Sequence, residues 1–593
     1  MNGIDQARLF DIINYQLENF PQAISLARKA DGVWKKYSTQ EVIDISHQVS
    51  AGLLSKGIVP GDKVAIISTT NRPEWNFIDL GVLQIGAVDV PIYPTITARE
   101  YAYVLNDSGC KMAFVSDQEV YEKIKNVAHE CSALKEIYLF DEVSGSAHWT
   151  SILENDLVKA KETVQPFKDK VNHKDLATLI YTSGTTGDPK GVMLSHENIV
   201  SNVLASSERL PLIPGSRSLS FLPLCHIFER MLIYLYAYKG ANIYYAQSLE
   251  TIGDDMKEVK PHIFSAVPRL LEKVFSKIIA KGKELTGIKK TLFFWAVRLA
   301  ERFEYYGKNG VIYDMKLAIA RKLIFSKWKE ALGGEVQLAA SGSAALSPRL
   351  NRIFNAAGIP VMEGFGLTET SPVISVNEID NEGVRFGTCG RPLFNVEVKI
   401  AKDGEILCKG PNVMMGYYNK PEMTAEVIDK DGWFHTGDIG ELVDGQFLKI
   451  TDRKKEIFKT SGGKYVAPQI MENVFKQSSL IEQIMVIGEN KKHPSALIVP
   501  NFASLSHLCK EKNIKFSSDG DAIHDPLILQ IYQEVLDTYN AEFNQWEQVK
   551  KFALLDKEWS IDGGELTPTL KLRRKKVFEK YSELIDKIYS EED

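Results

Sequence analysis

Residues 181–192 read Tyr-Thr-Ser-Gly-Thr-Thr-Gly-Asp-Pro-Lys-Gly-Val, directly behind an apolar, strand-like run from Leu176 to Tyr181. Gly184 and Gly187 permit backbone conformations closed to other residues, so main-chain N–H groups can approach a ligand closely. Thr182, Ser183, Thr185 and Thr186 add hydroxyl donors, and Lys190 adds a positive charge. Donors converging in this way suit the oxygens of a polyphosphate. The common nucleoside-triphosphate loop closes on Gly-Lys-Ser/Thr. Here Pro189 precedes Lys190 and Gly191 follows it, so the loop is of another type.

Four further clusters carry residues that could do chemistry. Glu363-Gly-Phe-Gly-Leu-Thr-Glu369-Thr sets a glycine-bracketed aromatic beside a hydroxyl and a carboxylate. Glu369 stands where a dinucleotide fingerprint needs its third glycine, which sets a nicotinamide site aside. Read alone, the segment suits two things equally. One is a stacking surface, Phe365, with Thr368 and Glu369 facing phosphate and metal; the other is a tight strand-to-helix turn. Trp433-Phe-His-Thr-Gly-Asp438 ends in a carboxylate able to accept from a ribose diol, although an Asp after Gly is more often a turn residue. Asp452-Arg453-Lys454-Lys455 reads alone as a solvated charge run, and Leu566-Thr-Pro-Thr-Leu-Lys571 as the start of a basic tail. His226 lies among apolar residues in Leu222-Pro-Leu-Cys-His226-Ile-Phe-Glu-Arg230 and reads alone as a satisfied core histidine. There is no G-x-S-x-G elbow. His196-Glu197 lacks the second histidine of a zinc-protease helix, because Val200 occupies its place.

The elements that position these residues follow from the texture. Lys63–Ser68, Ala87–Ile92, Lys111–Ser116 and Lys135–Phe140 read as strands. The helical segments Pro73–Ile85, Ala98–Leu105 and Glu119–Cys131 alternate with them. That alternation implies a parallel, helix-covered sheet. Phosphate loops of such sheets lie beyond the carboxyl ends of strands, where residues 182–190 fall. The texture returns at 176–181, 261–267, 335–340 and 358–362. Residues 270–332 are helical, amphipathic and rich in lysine, glutamate and aromatics, and read as surface helices around a substrate channel or interface. Short strands at 482–488 and 495–501, followed by helices, mark a different domain beyond a charged hinge at Asp452–Lys455.

With 593 residues the chain exceeds one core. A formal charge of −6 argues against nucleic-acid binding. Six scattered cysteines without a C-x-x-C pair fit a reducing compartment rather than a disulfide framework. The first 28 residues lack a continuous apolar block and read as neither signal peptide nor anchor. The run Met231 to Tyr238 is too short to span a bilayer. The expectation is a cytoplasmic protein, with peripheral contact to a membrane surface left open.

The order of the clusters resembles that of the adenylate-forming (AMP-binding) superfamily, across roughly residues 20 to 590. It is most similar to the long-chain fatty acid–CoA ligase branch. The 222–230 segment, Ala340-Ser-Gly-Ser-Ala-Ala-Leu346, the helical 270–332 stretch and the segment ending in Lys571 carry the likeness. The resemblance implies an α/β fold with two domains. Residues 1–452 would form a large domain of parallel helix-covered sheets that binds ATP and fatty acid. Residues 453–593 would form a small, mobile α+β lid.

It also implies roles. Thr182, Ser183, Gly184, Thr185, Thr186, Gly187 and Lys190 would bind pyrophosphate. Gly342, Glu363, Gly364 and Phe365 would form the adenine slot. Thr368 would touch the α-phosphate, and Glu369 would hold Mg²⁺. Asp438 and Arg453 would grip the ribose, and Lys455 would occupy the hinge. Lys571 would bridge the fatty carboxylate and the α-phosphate. Lys459, Gly462 and Gly463 would turn inward for thioester formation with coenzyme A, with His226 a candidate helper.

The sequence departs from the wider family in three places: Thr-Pro-Thr-Leu-Lys571 replaces Ser/Thr-Gly-Lys, Phe365 replaces tyrosine, and Lys455 replaces aspartate. Glu229-Arg230 stands near the position where some bacterial members gate the acyl tunnel with tryptophan. The resemblance implies ATP-dependent acyl-CoA synthesis. Two rivals remain. One is an acyl-AMP ligase serving a carrier protein, which typically carries an insertion not evident between Leu393 and Thr451. The other is a non-catalytic sensor on the same scaffold, which would not need intact Lys190, Glu369, Asp438, Arg453 and Lys571.

Overall fold

Every residue of helix Pro73–Gln84 is buried in the computed structural model, which describes residues 6–182, 188–561, 563–567 and 571–590. A helix buried on all sides must be enclosed by other elements, and its polar residues Glu74, Asn76 and Asp79 find partners inside. The neighbouring strands Lys63–Ile67, Val88–Ile92, Cys110–Val115 and Glu136–Leu139 lie parallel, as their alternation with helices requires. Helix Ala98–Ser108 starts from a capping box in which Thr97 and Glu100 satisfy each other's backbone N–H groups. It runs three residues beyond the expected end, because only at Gly109, with φ 68°, can the chain turn out of the helix. The helix expected over 119–131 stops at Val127 and finishes as a 3₁₀ turn, Ala128–Glu130.

The chain divides into two compact units. One holds the chain up to Lys399 with Leu407–His435 and Asp444–Leu448. The other holds Ile400–Ile406, Thr436–Val443 and everything from Lys449. Among the described residues the first unit has two large sheets. A seven-stranded sheet carries Leu176–Thr182, which pairs parallel with Val88–Ile92 on one side and antiparallel with Lys190–Ser195 on the other. A nine-stranded sheet is parallel through Leu26–Ala30, Asn242–Tyr245, Arg217–Ser220, Ile263–Ala266, Leu338–Ser341 and Val361–Gly366. It turns antiparallel at both edges.

Helix Ile227–Tyr238 contains the lipid-like run and buries all but its Phe228 and Tyr238. That run is therefore an interior helix. Its Arg230 is fully enclosed and bonds two buried carboxylates. Nη2 lies 2.7 Å from Asp79 Oδ1 and 2.5 Å from Asp89 Oδ2. Nη1 donates to Asp89 Oδ1 at 3.0 Å and to Thr178 Oγ1 at 2.8 Å, and the Tyr234 hydroxyl donates to Asp79. Next to it, Glu229 accepts from Ser220 Oγ and Ser265 Oγ, and burial pushes its carboxyl up to about 7.

In the second unit, Ile481–Ile487, Ser495–Pro500 and Lys551–Leu554 form a three-stranded sheet. Alternate residues fill two different cores, Ile484 and Val486 in one and Met485 and Ile487 in the other, as the period of two requires. Among the described residues no helix is long and apolar enough to cross a membrane. Replacing one partner of a buried ion cluster strands the others. Arg230→Met should therefore cost about 3–5 kcal/mol, read as a lower urea midpoint. A variant as stable as the parent would refute the weight placed on this cluster.

Candidate active site

Strands Leu176–Thr182 and Lys190–Ser195 form a hairpin in register Thr182↔Lys190, so the phosphate-loop candidates leave and re-enter the sheet side by side. Ser183, Gly184, Thr185, Thr186 and Gly187 lie outside the described residues. Lys190 Nζ sits 4.3 Å from the centroid of the Tyr417 ring, a cation held over an aromatic face. The Tyr417 hydroxyl donates to Glu369 Oε1 at 2.9 Å. Tyr417 belongs to the short edge strand Gly416–Tyr417, which pairs with Lys190–Ser195 in register Tyr417↔Val192. One ring therefore ties the phosphate-loop lysine to the carboxylate of the second cluster. Burial, reinforced by Glu369, raises the tyrosine's pKa, so it stays a donor. Sequence reasoning missed this residue. The glycine before it, in Met414-Met-Gly-Tyr-Tyr418, was the available signal.

The segment from Glu363 continues strand Val361–Gly366, which folds back antiparallel onto Val373–Val376 with a register shift at Phe365/Gly366. The turn is 3₁₀, Thr368–Thr370, and not the start of an α-helix. Gly366 is required there, since a Cβ would lie 1.7 Å from the Pro372 carbonyl oxygen. Thr370 Oγ1 donates to that same carbonyl at 2.6 Å and accepts from Leu367 N at 2.9 Å, which fixes Thr368 and Glu369 on the turn. Phe365 is half-buried, opposite Ser375. Glu363 lies opposite Ser341, one residue before Gly342. Its Oε1 accepts from Leu346 N at 3.0 Å, and burial pushes its carboxyl up to about 8. Gly342 faces the Phe228 ring, which a Cβ would touch at 3.5 Å.

His226 is not a core histidine. It is half-buried and caps helix Ile227–Tyr238, its Nδ1 accepting from Phe228 N at 3.2 Å. That leaves the ring at a helix entrance, four residues from Arg230 in the enclosed cluster.

The second unit holds the remaining candidates. Asp438 is buried on strand Phe434–Val443, and Arg453 Nε lies 3.4 Å from its Oδ1. Asp438 N donates to Thr436 Oγ1 at 3.1 Å and Gly437 N to Glu405 Oε1 at 2.9 Å, so Thr436-Gly-Asp438 is pinned within the strand rather than forming a turn. Around the expected hinge, Asp452 is buried and burial pushes it up to about 7. Lys454 bridges Glu405 at 2.9 Å and Asp403 at 2.7 Å, and Lys455 is exposed. The four residues are thus not a uniform solvated run.

Lys459 lies on the two-stranded hairpin Phe458–Lys459 with Tyr465–Val466, opposite Tyr465, and Gly462 and Gly463 are exposed at its tip. Gly463, at φ 74°, closes the turn through a bond from its N–H to the Thr460 carbonyl. Lys571 N donates to Thr567 Oγ1 at 2.9 Å, and Thr567 N donates to the Lys571 carbonyl at 2.8 Å. Nearby Arg574, also missed from sequence, bonds Glu472 at 2.6 Å and Glu456 at 2.9 Å.

Residues 13–418 match the model of the AMP-binding enzyme family, and residues 455–593 match the AMP-binding enzyme C-terminal domain. The chain belongs to the AMP-binding enzyme family. Among its relatives is the long-chain-fatty-acid–CoA ligase FadD15 of Mycobacterium bovis, 33% identical over 96% of this chain and 95% of that protein. Another is long-chain-fatty-acid–CoA ligase 5 of Rattus norvegicus, 34% identical over 95% of this chain and 85% of that one. The adenylation domain of a Mycobacterium chelonae carboxylate reductase has the same fold, with a TM-score of 0.74 at 23% identity, covering 98% of this chain and 91% of that one.

Within this AMP-binding enzyme, Glu363 gives a pH signature. Its folded pKa lies above that of an unfolded glutamate, so the folded state holds an extra proton between about pH 4.5 and 8. Stability contributed by the neutral carboxyl is present below that window and lost as pH rises through it. The melting temperature of the parent should therefore fall relative to Glu363→Gln from pH 5 to 8, and a constant difference would contradict the buried, neutral carboxyl.

Proposed function

We infer that the chain is an ATP-dependent long-chain fatty acid–CoA ligase, which forms an acyl-adenylate and then acyl-CoA, releasing pyrophosphate and AMP. The observation that carries this is the Lys190–Tyr417–Glu369 chain. It links a phosphate-loop cation to a carboxylate across the ends of two antiparallel hairpins, in a protein with long-chain ligase relatives over nearly its full length.

The chemistry matches the residue types. A fatty carboxylate has a pKa of about 4–5 and is already ionised at neutral pH, so its attack needs no general base. The obstacle is bringing an anion to the α-phosphorus of a polyanionic nucleotide, which calls for positive charge and in-line positioning. In this reading Lys190 and the loop residues Thr182 to Gly187 hold the departing pyrophosphate. Gly342, Glu363, Gly364 and Phe365 receive adenine, the last by stacking. Asp438 and Arg453 take the ribose, Thr368 the α-phosphate, and Lys571 the attacking carboxylate.

Glu369 would hold Mg²⁺. Among the described residues there is no cluster of three metal-ligating side chains, which suits an ion bound mostly by substrate phosphates through one protein carboxylate. When bound, the ion supplies charge neutralisation of the phosphates. Tyr417 keeps the Glu369 carboxylate oriented by its hydrogen bond.

In the second step the sulfur of coenzyme A bonds to the acyl carbon as its proton departs, and the bond to AMP breaks. A thiol of pKa about 8.5 supplies a few per cent thiolate at neutral pH, and His226 stands as the candidate to take the proton. Lys459, Gly462 and Gly463 belong to the segment serving this step. The division at residues 452/453, with 453–593 as the lid, is part of the same reading. So are a cytoplasmic setting and contact with a membrane surface.

Mass spectrometry after mixing protein with Mg²⁺-ATP, a ladder of fatty acids and coenzyme A should find acyl-CoA, AMP and pyrophosphate. Acyl-AMP alone would indicate an adenylate-transferring ligase, and no turnover a sensor. Lys571→Ala should lose adenylation at least a hundredfold, on the scale of a removed transition-state charge contact. It should still make thioester from supplied acyl-AMP, and equal loss of both half-reactions would defeat the assignment.

A further inference from the structure

Two asparagines stand one turn apart on helix His196–Ser207, which follows directly from strand Lys190–Ser195. Asn202 is wholly buried and Asn198 nearly so. Their four-residue spacing puts both side chains on one face of the helix. Asn202 clasps the backbone of Val373, its Nδ2 donating to the carbonyl at 2.7 Å and its Oδ1 accepting from the N–H at 3.1 Å. Val373 opens the strand that leaves the turn carrying Thr368 and Glu369. Asn198 closes the capping box at Ser195, its Oδ1 accepting from Ser195 N at 2.8 Å. Its Nδ2 donates to the carbonyls of Pro411 at 2.7 Å and Val413 at 2.9 Å, just ahead of strand Gly416–Tyr417.

The segment that Asn198 holds also holds the Glu369 turn. Asn412 Nδ2 donates to the Thr370 carbonyl at 3.0 Å, and Met414 N donates to the Glu369 carbonyl at 2.9 Å. Strand Lys190–Ser195 completes the set, since the Met193 carbonyl accepts from Met415 N and the Gly191 carbonyl from Tyr418 N. Lys190, Glu369 and Tyr417 therefore stand on three segments, and one helix face sets the spacing of all three.

The residue type matters. Asparagine is a weak helix former, and an amide taken out of water costs free energy unless it is bonded. A leucine at either position would bury more apolar surface, yet an apolar contact tolerates several positions of the backbone it meets. The amide does not, because it offers donors and an acceptor in one plane. It is also neutral, so it fixes both segments without adding charge near Lys190 and Glu369.

We propose that Asn198 and Asn202 are positioning residues for the adenylation step, holding Glu369 and Tyr417 at the distance from Lys190 that magnesium-bound phosphates require. The proposal rests on the ligase reading and adds to it the residues that set its metal and phosphate contacts. In it neither asparagine touches substrate, and each acts through the backbone it holds.

The test is calorimetric binding of ATP to the full chain, with and without Mg²⁺ and in the absence of fatty acid. Asn202→Ala should weaken binding of Mg²⁺-ATP about tenfold and of metal-free ATP by about twofold or less. Glu369→Gln should weaken Mg²⁺-ATP binding in the parent and add little in Asn202→Ala, as expected of residues that act through one another. Thioester formation from supplied acyl-AMP should stay within about twofold of the parent. Val203→Ala, which truncates a buried apolar side chain of the same helix, should lower the melting temperature and leave the metal dependence unchanged. Asn198→Ala, measured in the same way, decides the matter should Asn202→Ala fold poorly. The proposal is overturned if Val203→Ala reproduces the loss, if both forms of ATP weaken equally, or if the losses at 202 and 369 add in full. A parent that binds Mg²⁺-ATP but forms no acyl-adenylate with any fatty acid would defeat the ligase reading by itself, whatever the variants show.

Discussion

A single guanidinium holds together the parts of the first unit that have to agree. Arg230 comes from the helix capped by His226, Asp89 and Thr178 from adjacent strands of one sheet, and Asp79 from the wholly buried helix Pro73–Gln84. Thr178 is four residues upstream of Thr182, on the strand that delivers the phosphate loop. The register of that strand is thereby tied, through Arg230, to the helix entrance where His226 sits. A buried arginine facing two carboxylates is not a device for maximum stability, because apolar residues of equal volume often do as well or better. Its value lies in direction. Hydrogen bonds to both carboxylates and a hydroxyl permit one arrangement of helix against strands, and an apolar contact would tolerate several.

The candidate site is built on the edges of this frame, where backbone is free to leave the sheet. The hairpin Leu176–Thr182 and Lys190–Ser195 flanks the phosphate-loop candidates, and the hairpin of Val361–Gly366 with Val373–Val376 ends in the turn bearing Glu369. Tyr417 joins these two ends by a ring under Lys190 and a hydroxyl on Glu369. In ATP chemistry the lysine and the carboxylate have opposite tasks. In the reading proposed here one would meet phosphate oxygens directly and the other would meet them through a cation, so they must stay close without neutralising each other. A ring between them, with its π face to the cation and its hydroxyl to the anion, separates the two charges while fixing both.

How much of this was legible in the sequence depended on the range of the interaction that decided it. The alternating strands and helices of residues 63–140 were readable because each is set by local periodicity and capping, as at Thr97–Glu100 and Asp117. Their ends were less so, since the stop at Gly109 depends on a φ angle that composition only suggests. The candidates Thr182, Lys190, Glu363 and Asp438 could be named because glycines and hydroxyls cluster beside them in sequence. Tyr417 and Arg574 were not. Each acts through partners dozens or more residues away, Tyr417 through Lys190 and Glu369, and Arg574 through Glu456 and Glu472. His226 was misjudged for a related reason: apolar neighbours in sequence are buried by the helix it caps, while the cap residue itself stays at the helix mouth.

The same reasoning separates two apolar segments that look alike on paper. Residues 231–238 and 311–323 are both rich in Ile, Leu and Met, yet the first is largely enclosed and the second presents most of its apolar residues outward. The difference lies in what accompanies them. The first follows Glu229 and Arg230, whose charges are consumed inside by two serines and two aspartates. The second is interspersed with lysines that the interior cannot take. Burying such a helix completely would strand those ammonium groups, at several kcal/mol each. The fold therefore keeps its outer face at the surface, where apolar side chains and positive charge are offered together.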